Sequence, residues 1–219
     1  MMSYLVNLVV RTRPALVVGA GTVAARKIAA LVDAQADVWV VAPTVCDQVG
    51  ALELDGRIRV ARRRYEPGDA RGAFVVIAAT DDDEVNRRVA DEAEAGGALV
   101  NVVDRPELCT FTMPAVVHRG DLTLAVATDG RCPSLARAIR SRLERQYGPE
   151  YAEVARRLAD LRQRLIAAGW ASASISAAVS ASMDNGLVEA IASGHEARAA
   201  SLLEAPFRGH DDVTGDHDR

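Results

Sequence analysis

Cysteine and histidine are scarce in this chain: three cysteines, Cys46, Cys109 and Cys132, and four histidines among 219 residues. The cysteines stand far apart and are odd in number. No CxxC pair and no Cys/His cluster occurs, which argues against a disulfide framework and against a zinc site. The expectation is free, buried or half-buried thiols in a reducing compartment, and no metal centre. His118 falls in the turn HRGD and reads as a surface residue, while His195, His210 and His217 are isolated. The chain also lacks an apolar run of the roughly 20 residues that a membrane helix needs. The start, MMSYLVNLVVRTRP, has too short an apolar part, and its arginines on the wrong side, for a secretory signal. The reading is a cytoplasmic protein with no membrane association. Positive charge is not in excess either. The formal net charge is −4, which weighs against nucleic-acid binding as the function.

What is present is enough apolar sequence, 49% of residues, to bury a core. The length suits one nucleotide-binding domain plus a smaller region. Apolar runs at 14–18, 38–42 and 74–79, and the runs 57–62 and 98–103, read as strands. Between them Val23, Ala24, Ile28, Leu31 and Val32 recur at helical spacing, and residues 45–54 and 82–95 read as helices. Strand and helix alternating in this way imply an α/β fold, a Rossmann-like parallel sheet with helices on both faces. After Asp104 the pattern changes. Residues 109–117 and 121–127 suggest strands around HRGD, and a helix is expected from Pro133-Ser134 to Tyr147. Residues 150–168 form a charged amphipathic pattern, and 170–204 are alanine- and serine-rich at helical spacing. The expected division is 1–112, 113–148, 149–207, and a polar tail, 208–219, without structure.

Four segments carry chemistry. GAGTVA, Gly19 to Ala24, stands between a predicted strand and a predicted helix, the context that a dinucleotide fingerprint requires. Gly19 permits the tight turn, Gly21 lets the backbone approach a pyrophosphate, and the helix N-terminus offers free N–H groups. The acidic residue that ordinarily ends the second strand and binds the ribose is missing: the strand runs into Val41-Ala42-Pro43-Thr44. Ribose contacts must then come from backbone groups or Thr44. No arginine stands there for a 2′-phosphate, which favours NAD over NADP. AATDDDEVN, residues 78–86, lies where ligands bind in open α/β sheets, so Thr80 and Asp81 can reach a cofactor. Asp82 and Asp83 read as a helix cap and an acidic first turn. VNVVDRPELCTFTMPA, residues 100–115, carries Asp104 at the end of the fifth strand. That residue is either a base toward a carbon or nitrogen acid or a turn-starting aspartate two residues before Pro106. TDGRCPSLARAIR, residues 128–140, is a glycine loop entering a helix, with Arg131, Arg137, Arg140 and Arg142. It is either a polyanion site or a capped surface helix with a solvated basic face.

In this order and spacing, GAGTVAARK, VVAP, AATDDDEVN, NVVDRPELCTFTMPA and TDGRCPSLARAIR resemble the precorrin-2 dehydrogenase/sirohydrochlorin ferrochelatase family over residues 4–145. The family includes stand-alone bacterial dehydrogenases and the N-terminal half of siroheme synthase. The resemblance implies a Rossmann-like NAD domain (1–112), a small α+β segment that builds a homodimer (113–148) and a helical C-terminal domain (149–207). It implies that NAD oxidises precorrin-2 to sirohydrochlorin, with Fe²⁺ as a further substrate if the chain also chelates. Asp104 matches the family's catalytic aspartate. Its NAD contacts fall on Thr22, Val23, Pro43 and Thr44, and its tetrapyrrole loop on Thr128, Gly130, Arg131 and Arg137. Where the family commonly has serine–glycine, this chain has Thr128-Asp129-Gly130, which adds a negative charge beside the substrate's carboxylates. The alternative is a non-catalytic NAD-sensing module. Such modules more often carry the missing strand-end acid and give no reason for the Asp104 segment.

Overall fold

The computed structural model describes residues 4–208. The chain divides into two compact units, one ending at Met113 and the other beginning at Pro114. In the first, β1 (Pro14–Val18), β2 (Asp37–Val41), β3 (Arg59–Ala61), β4 (Val75–Ala78) and β5 (Leu99–Val102) pair in the order β3-β2-β1-β4-β5, all parallel. Parallel neighbours need long crossovers, and α1 (Thr22–Asp33), α2 (Asp47–Leu54) and α3 (Asp83–Ala95) supply three of them. Both faces of the sheet are therefore covered, which is why the central strands are apolar throughout. Ala15 and Val17 of β1 face one layer, with Ala24, Ile28 and Val32 of α1 and Val49 of α2. Leu16 and Val18 face the other, with Val89, Ala90 and Ala93 of α3.

The strands finish in step. Val18 pairs with Val41 on one side and Ala78 on the other, and Ala78 pairs with Val102. Since all the strands run one way, the segments that leave them gather along one edge. The strand order reverses between β1 and β4, and this is the point at which open α/β sheets bind ligands.

Two strands differ from the sequence reading. Strand β3 is shorter than 57–62. The N–H of Arg57 closes the turn after α2 onto the Leu52 carbonyl, and that of Arg63 turns back onto Ala61. The strand expected over 109–117 starts only at Ala115. Residues before it fold back along β5, the margin of the sheet, whose outward groups need partners. The N–H of Val102 donates to Sγ of Cys109 (3.1 Å) and that of Val100 to Oγ1 of Thr110 (2.7 Å). The Val100 carbonyl accepts from the N–H of Thr110 (2.9 Å). Side chains thus stand where a neighbouring strand would.

The second unit opens with a hairpin, β6 (Ala115–Arg119) and β7 (Leu122–Val126), turned by Gly120 and Asp121. Gly120 takes φ +57°, as a tight hairpin turn demands. Helix α4 (Pro133–Gln146) follows, and its C-terminal carbonyls are met by Arg119: Nε donates to Tyr147 O (2.9 Å) and Nη2 to Glu144 O (3.2 Å). Helices α5 (Glu150–Ala167), α6 (Ser172–Asp184), α7 (Leu187–Ala192) and α8 (Glu196–Arg208) complete the unit. Val154, Leu158, Leu161 and Leu165 of α5 form one stripe that packs on Leu187 and Ala190 of α7, Ile175 and Ala178 of α6 and Ala199 of α8.

Arg208 ends α8, so it belongs to a helix rather than to a tail. The rest of that expected unstructured tail lies outside the described residues. Among the described residues no helix is long and apolar enough to cross a membrane, and no group of three or more His, Cys, Asp or Glu could hold a metal ion. The cysteines are free and half-buried.

Asn86 of α3 is buried and holds the turn after β4. Its Nδ2 donates to Thr80 O (2.9 Å), and its Oδ1 accepts from Thr80 Oγ1 (2.8 Å) and N–H (3.2 Å). Asn86→Ala strands those backbone groups and is expected to lower stability by about 1–3 kcal/mol. Urea unfolding of the full chain checks this, and an unchanged midpoint contradicts it.

Candidate functional site

The glycine turn leaves β1 at the reversal of strand order. Gly19 takes φ +102°, and a Cβ there would collide with the Ala79 carbonyl, so only glycine lets the ends of β1 and β4 lie this close. The loops are tied together: Gly19 N–H donates to Val41 O (2.9 Å), Cys46 N–H to Ala20 O (3.0 Å) and Ala79 N–H to Val18 O (2.8 Å). Gly21 is the N-cap of α1. It offers no side-chain cap, the first turn carries no acid, and a Cβ at Gly21 would meet nothing within 4 Å. The first N–H groups of α1 therefore face open space at the positive end of the helix, with Gly21, Thr22 and Val23 exposed. This is the arrangement that a pyrophosphate fits.

Helix α3, which also begins at this edge, is closed. Oδ1 of Asp82 accepts from the N–H groups of Glu84 (3.0 Å) and Val85 (3.1 Å), so α3 is capped and fronted by negative charge. Asp83 pairs with Arg105. Both residues thus act as the capping pattern predicted. Pro43 and Thr44 are exposed in the loop after β2, next to the glycine turn. The Thr80 hydroxyl is engaged inside its own turn, with Asn86 and Asp82, whereas Asp81 is exposed.

Asp104 leaves β5 at the same edge and is exposed. Its φ of +57° puts it in the left-handed region, which aspartate and asparagine tolerate better than other side chains. Arg105 beyond it reaches Asp83 with Nε (3.2 Å), and Cys109 and Thr110 return along β5. The turn is thus held on both sides. With strands about 4.8 Å apart, the glycine turn and Asp104, separated by β4, stand about 10 Å from each other along one lip.

Two residues beneath that lip went unread in the sequence. Asn101 of β5 is buried. Its Oδ1 accepts from Lys27 Nζ (2.9 Å) and its Nδ2 donates to Phe111 O (3.1 Å). Burial lowers the pKa of the Lys27 ammonium; Cys109 and Asp104 act in the opposite direction, and Arg26 in the same direction as burial. An amide inside the apolar run LVNVV was the available signal, because a buried polar side chain requires a partner.

Thr128, Gly130, Arg131 and Arg137 lie in the second unit, around the loop that enters α4. Thr128 shapes it: its carbonyl accepts from Arg131 N–H (2.9 Å) and its Oγ1 from Cys132 N–H (3.3 Å). Gly130 takes φ +72°. Arg131 and Arg137 are exposed. A shallow hollow of about 380 Å³ beside β2 and β3, lined by Trp39, Arg59, Val60 and Ala61, includes none of the residues named for the site.

A parallel sheet reversed at a glycine turn, with an uncapped helix behind it, defines a dinucleotide-binding protein. Comparison agrees: the family model described as putative NAD(P)-binding matches residues 6–115. A siroheme synthase of Methylobacillus flagellatus is 46% identical over 153 residues, 70% of this chain and 33% of that protein. One of Nitrosococcus oceani is 35% identical over 95% of this chain and 45% of its own length. The chain thus spans less than half of these curated relatives. A solved structure, SirC, precorrin-2 dehydrogenase, superposes with a TM-score of 0.78 at 27% identity, covering 94% of this chain and 100% of that one. The chain belongs to this NAD(P)-binding family.

The glycines separate folding from binding. Gly21→Ala, with open space around the new methyl, is expected to leave the melting temperature within about 2 °C, a change of a few tenths of a kcal/mol. It should weaken NADH binding about tenfold, or roughly 1.4 kcal/mol, by filling the phosphate approach. Gly19→Ala should lose the fold or its cooperativity. NADH fluorescence titration and thermal melts test both, and parental affinity in Gly21→Ala would remove the turn from the site.

Proposed function

We propose that this protein oxidises precorrin-2 to sirohydrochlorin with NAD⁺, and that Asp104 is the base. The observation that carries the reading is an exposed carboxylate on the same lip of the sheet as the uncapped N-terminus of α1. The oxidation removes two electrons and two hydrogens: a hydride leaves to the cofactor, and a proton leaves to a base. NAD⁺ supplies the hydride acceptor when bound. Gly19, Gly21, Thr22 and Val23 would receive its pyrophosphate, and Pro43 and Thr44 would border its ribose, using backbone groups where the usual acid is missing. Thr80 would serve through its backbone, since its hydroxyl is engaged, with Asp81 beside it. Asp104 would accept the proton from the macrocycle. Arg131 and Arg137, with the loop Thr128–Gly130, would bind the substrate's carboxylates by charge-assisted hydrogen bonds.

Insertion of Fe²⁺ into sirohydrochlorin belongs to the same proposal. It also requires a base, here to take protons from pyrrole nitrogens, and Asp104 would serve again. A homodimer fits as well. The hairpin β6–β7 is a two-stranded sheet, marginal alone, with Leu122, Leu124 and Val126 only half-buried and Leu135 of α4 exposed. A second copy would cover them.

Asp104→Asn keeps the turn and removes the base. NADH formation from precorrin-2 should fall by about 100-fold or more, while the NADH dissociation constant stays within about threefold. Parental turnover in this variant would refute the assignment. Sirohydrochlorin mixed with Fe²⁺, against a no-enzyme control, tests chelation, and light scattering after size exclusion tests the dimer.

A further inference from the structure

Lys27 is the sole lysine in the chain; every other one of the 26 basic residues is an arginine. It is half-buried, and its contacts are with neutral atoms. Nζ donates to Asn101 Oδ1 (2.9 Å) and lies 3.4 Å from Met113 Sδ, a weak acceptor. Among the described residues every ion pair is made by an arginine, so no carboxylate comes within ion-pair distance of this ammonium. An amide oxygen satisfies a donor without offsetting a charge, and partial burial disfavours that charge. Holding Asn101 in place does not call for it, because a neutral donor would serve the same oxygen at lower cost. A cation kept half-buried and unmatched by the chain points to an anion from outside it.

We propose that Lys27 is a substrate-binding residue whose ammonium receives one carboxylate of the macrocycle. This rests on the reading of the protein as an oxidant of precorrin-2. Lys27 stands five residues beyond Thr22, about 8 Å along α1 from its first turn. Its bond to Asn101 directs it to the β5 side of the helix, the side of the Asp104 turn. Strand β2, with Pro43 and Thr44 after it, lies on the other side of β1. Val23, one helical turn earlier on the same face of α1, is exposed, and so is Met113. An ammonium between two exposed apolar side chains suits the rim of a tetrapyrrole, whose ring is apolar and whose side chains end in carboxylates. Of the three donors on Nζ, Asn101 takes one and the thioether weakly holds another, which leaves a third for the ligand. A compact ammonium can offer that third donor without releasing Asn101, whereas the five donors of a guanidinium lie in one plane. The cofactor's phosphates are the other anions near α1, but the N–H groups of the first turn already provide for them.

A lone lysine allows a direct measurement. Full-length protein made with ¹³Cε-lysine gives one Cε signal, whose shift follows protonation of Nζ. Saturating metal-free sirohydrochlorin should raise its titration midpoint by about 0.5 pH unit or more, through the carboxylate placed beside it. Lys27→Met keeps the length and removes the charge. In that variant the sirohydrochlorin dissociation constant and the KM for precorrin-2 should rise about tenfold, with kcat and the NADH dissociation constant within about threefold. Lys27→Gln keeps a donor for Asn101 without the charge and should lose as much affinity as Lys27→Met, which a merely structural role does not predict. An unmoved Cε midpoint with sirohydrochlorin bound overturns the proposal, as does parental sirohydrochlorin affinity in Lys27→Met or its recovery in Lys27→Gln. Loss of NADH affinity in Lys27→Met with sirohydrochlorin affinity kept would assign the ammonium to the cofactor's phosphates and overturn it equally. If circular dichroism shows both variants unfolded, the Cε titration decides alone. If the parental protein neither binds sirohydrochlorin nor forms NADH from precorrin-2, the functional reading falls and the role of Lys27 with it. Parental binding and turnover with an unmoved midpoint sink only the role of Lys27.

Discussion

The backbone of Gly19 lies against the Ala79 carbonyl so closely that a single methyl group would part them. The rest of the site depends on that approach. It brings the exits of β1 and β4 together where the strand order reverses, and it aims α1 outward with its first N–H groups free. Hydrogen bonds from Gly19 to Val41 and from Cys46 to Ala20 extend the same clasp to the loop after β2. A parallel sheet would gather its loops along one edge in any case. The glycine turn makes one of them a place where an anion can come within reach of the backbone.

The division of labour between the two helix ends follows from ordinary capping. An aspartate side chain occupies the N-terminus of α3, and nothing occupies that of α1. The acidic run after β4 therefore does structural work, with Asp82 as cap and Asp83 as the partner of Arg105, and it leaves the neighbouring helix as the place for a phosphate. Arg105 is thereby tied down, and the residue before it is carried with it. The left-handed backbone at Asp104 is tolerable because both flanks of the turn are held.

Much of the first unit was legible. Val, Ile and Ala runs broken by glycine turns can hardly form anything but a two-faced parallel sheet, and the glycine turn, the strand-end loops and Asp104 all fell where those runs stopped. Of the C-terminal helices, α5 was legible on its own over 150–168, whereas 170–204 was legible as helix but not as the separate α6, α7 and α8. Their breaks sit at Gly186 (φ +92°) and Gly194 (φ +69°), glycines in an alanine-rich stretch that periodicity alone passes over. Least legible was what depends on partners distant in sequence. Cys109 and Thr110 looked like the start of a strand because alternation does not say whether the neighbour is backbone or side chain. Lys27 looked like one more basic residue on a helix, since its partner Asn101 lies 74 residues away.

The closing of β5 by Cys109 and Thr110 bears on how such a sheet avoids other copies of itself. An open margin invites strands from neighbouring molecules and is a usual starting point for fibrous aggregation. Here one margin offers no unbonded ladder. The opposite one, β3, is only three residues long and is flanked by Arg57, Arg62, Arg63 and Arg64. Oxidation of the Cys109 thiol would remove the S–H that reaches the Val102 and Arg105 carbonyls and crowd the oxygen-bearing sulfur against β5, unfastening the guarded side. The hazard of a redox lesion at that thiol is therefore colloidal before it is chemical.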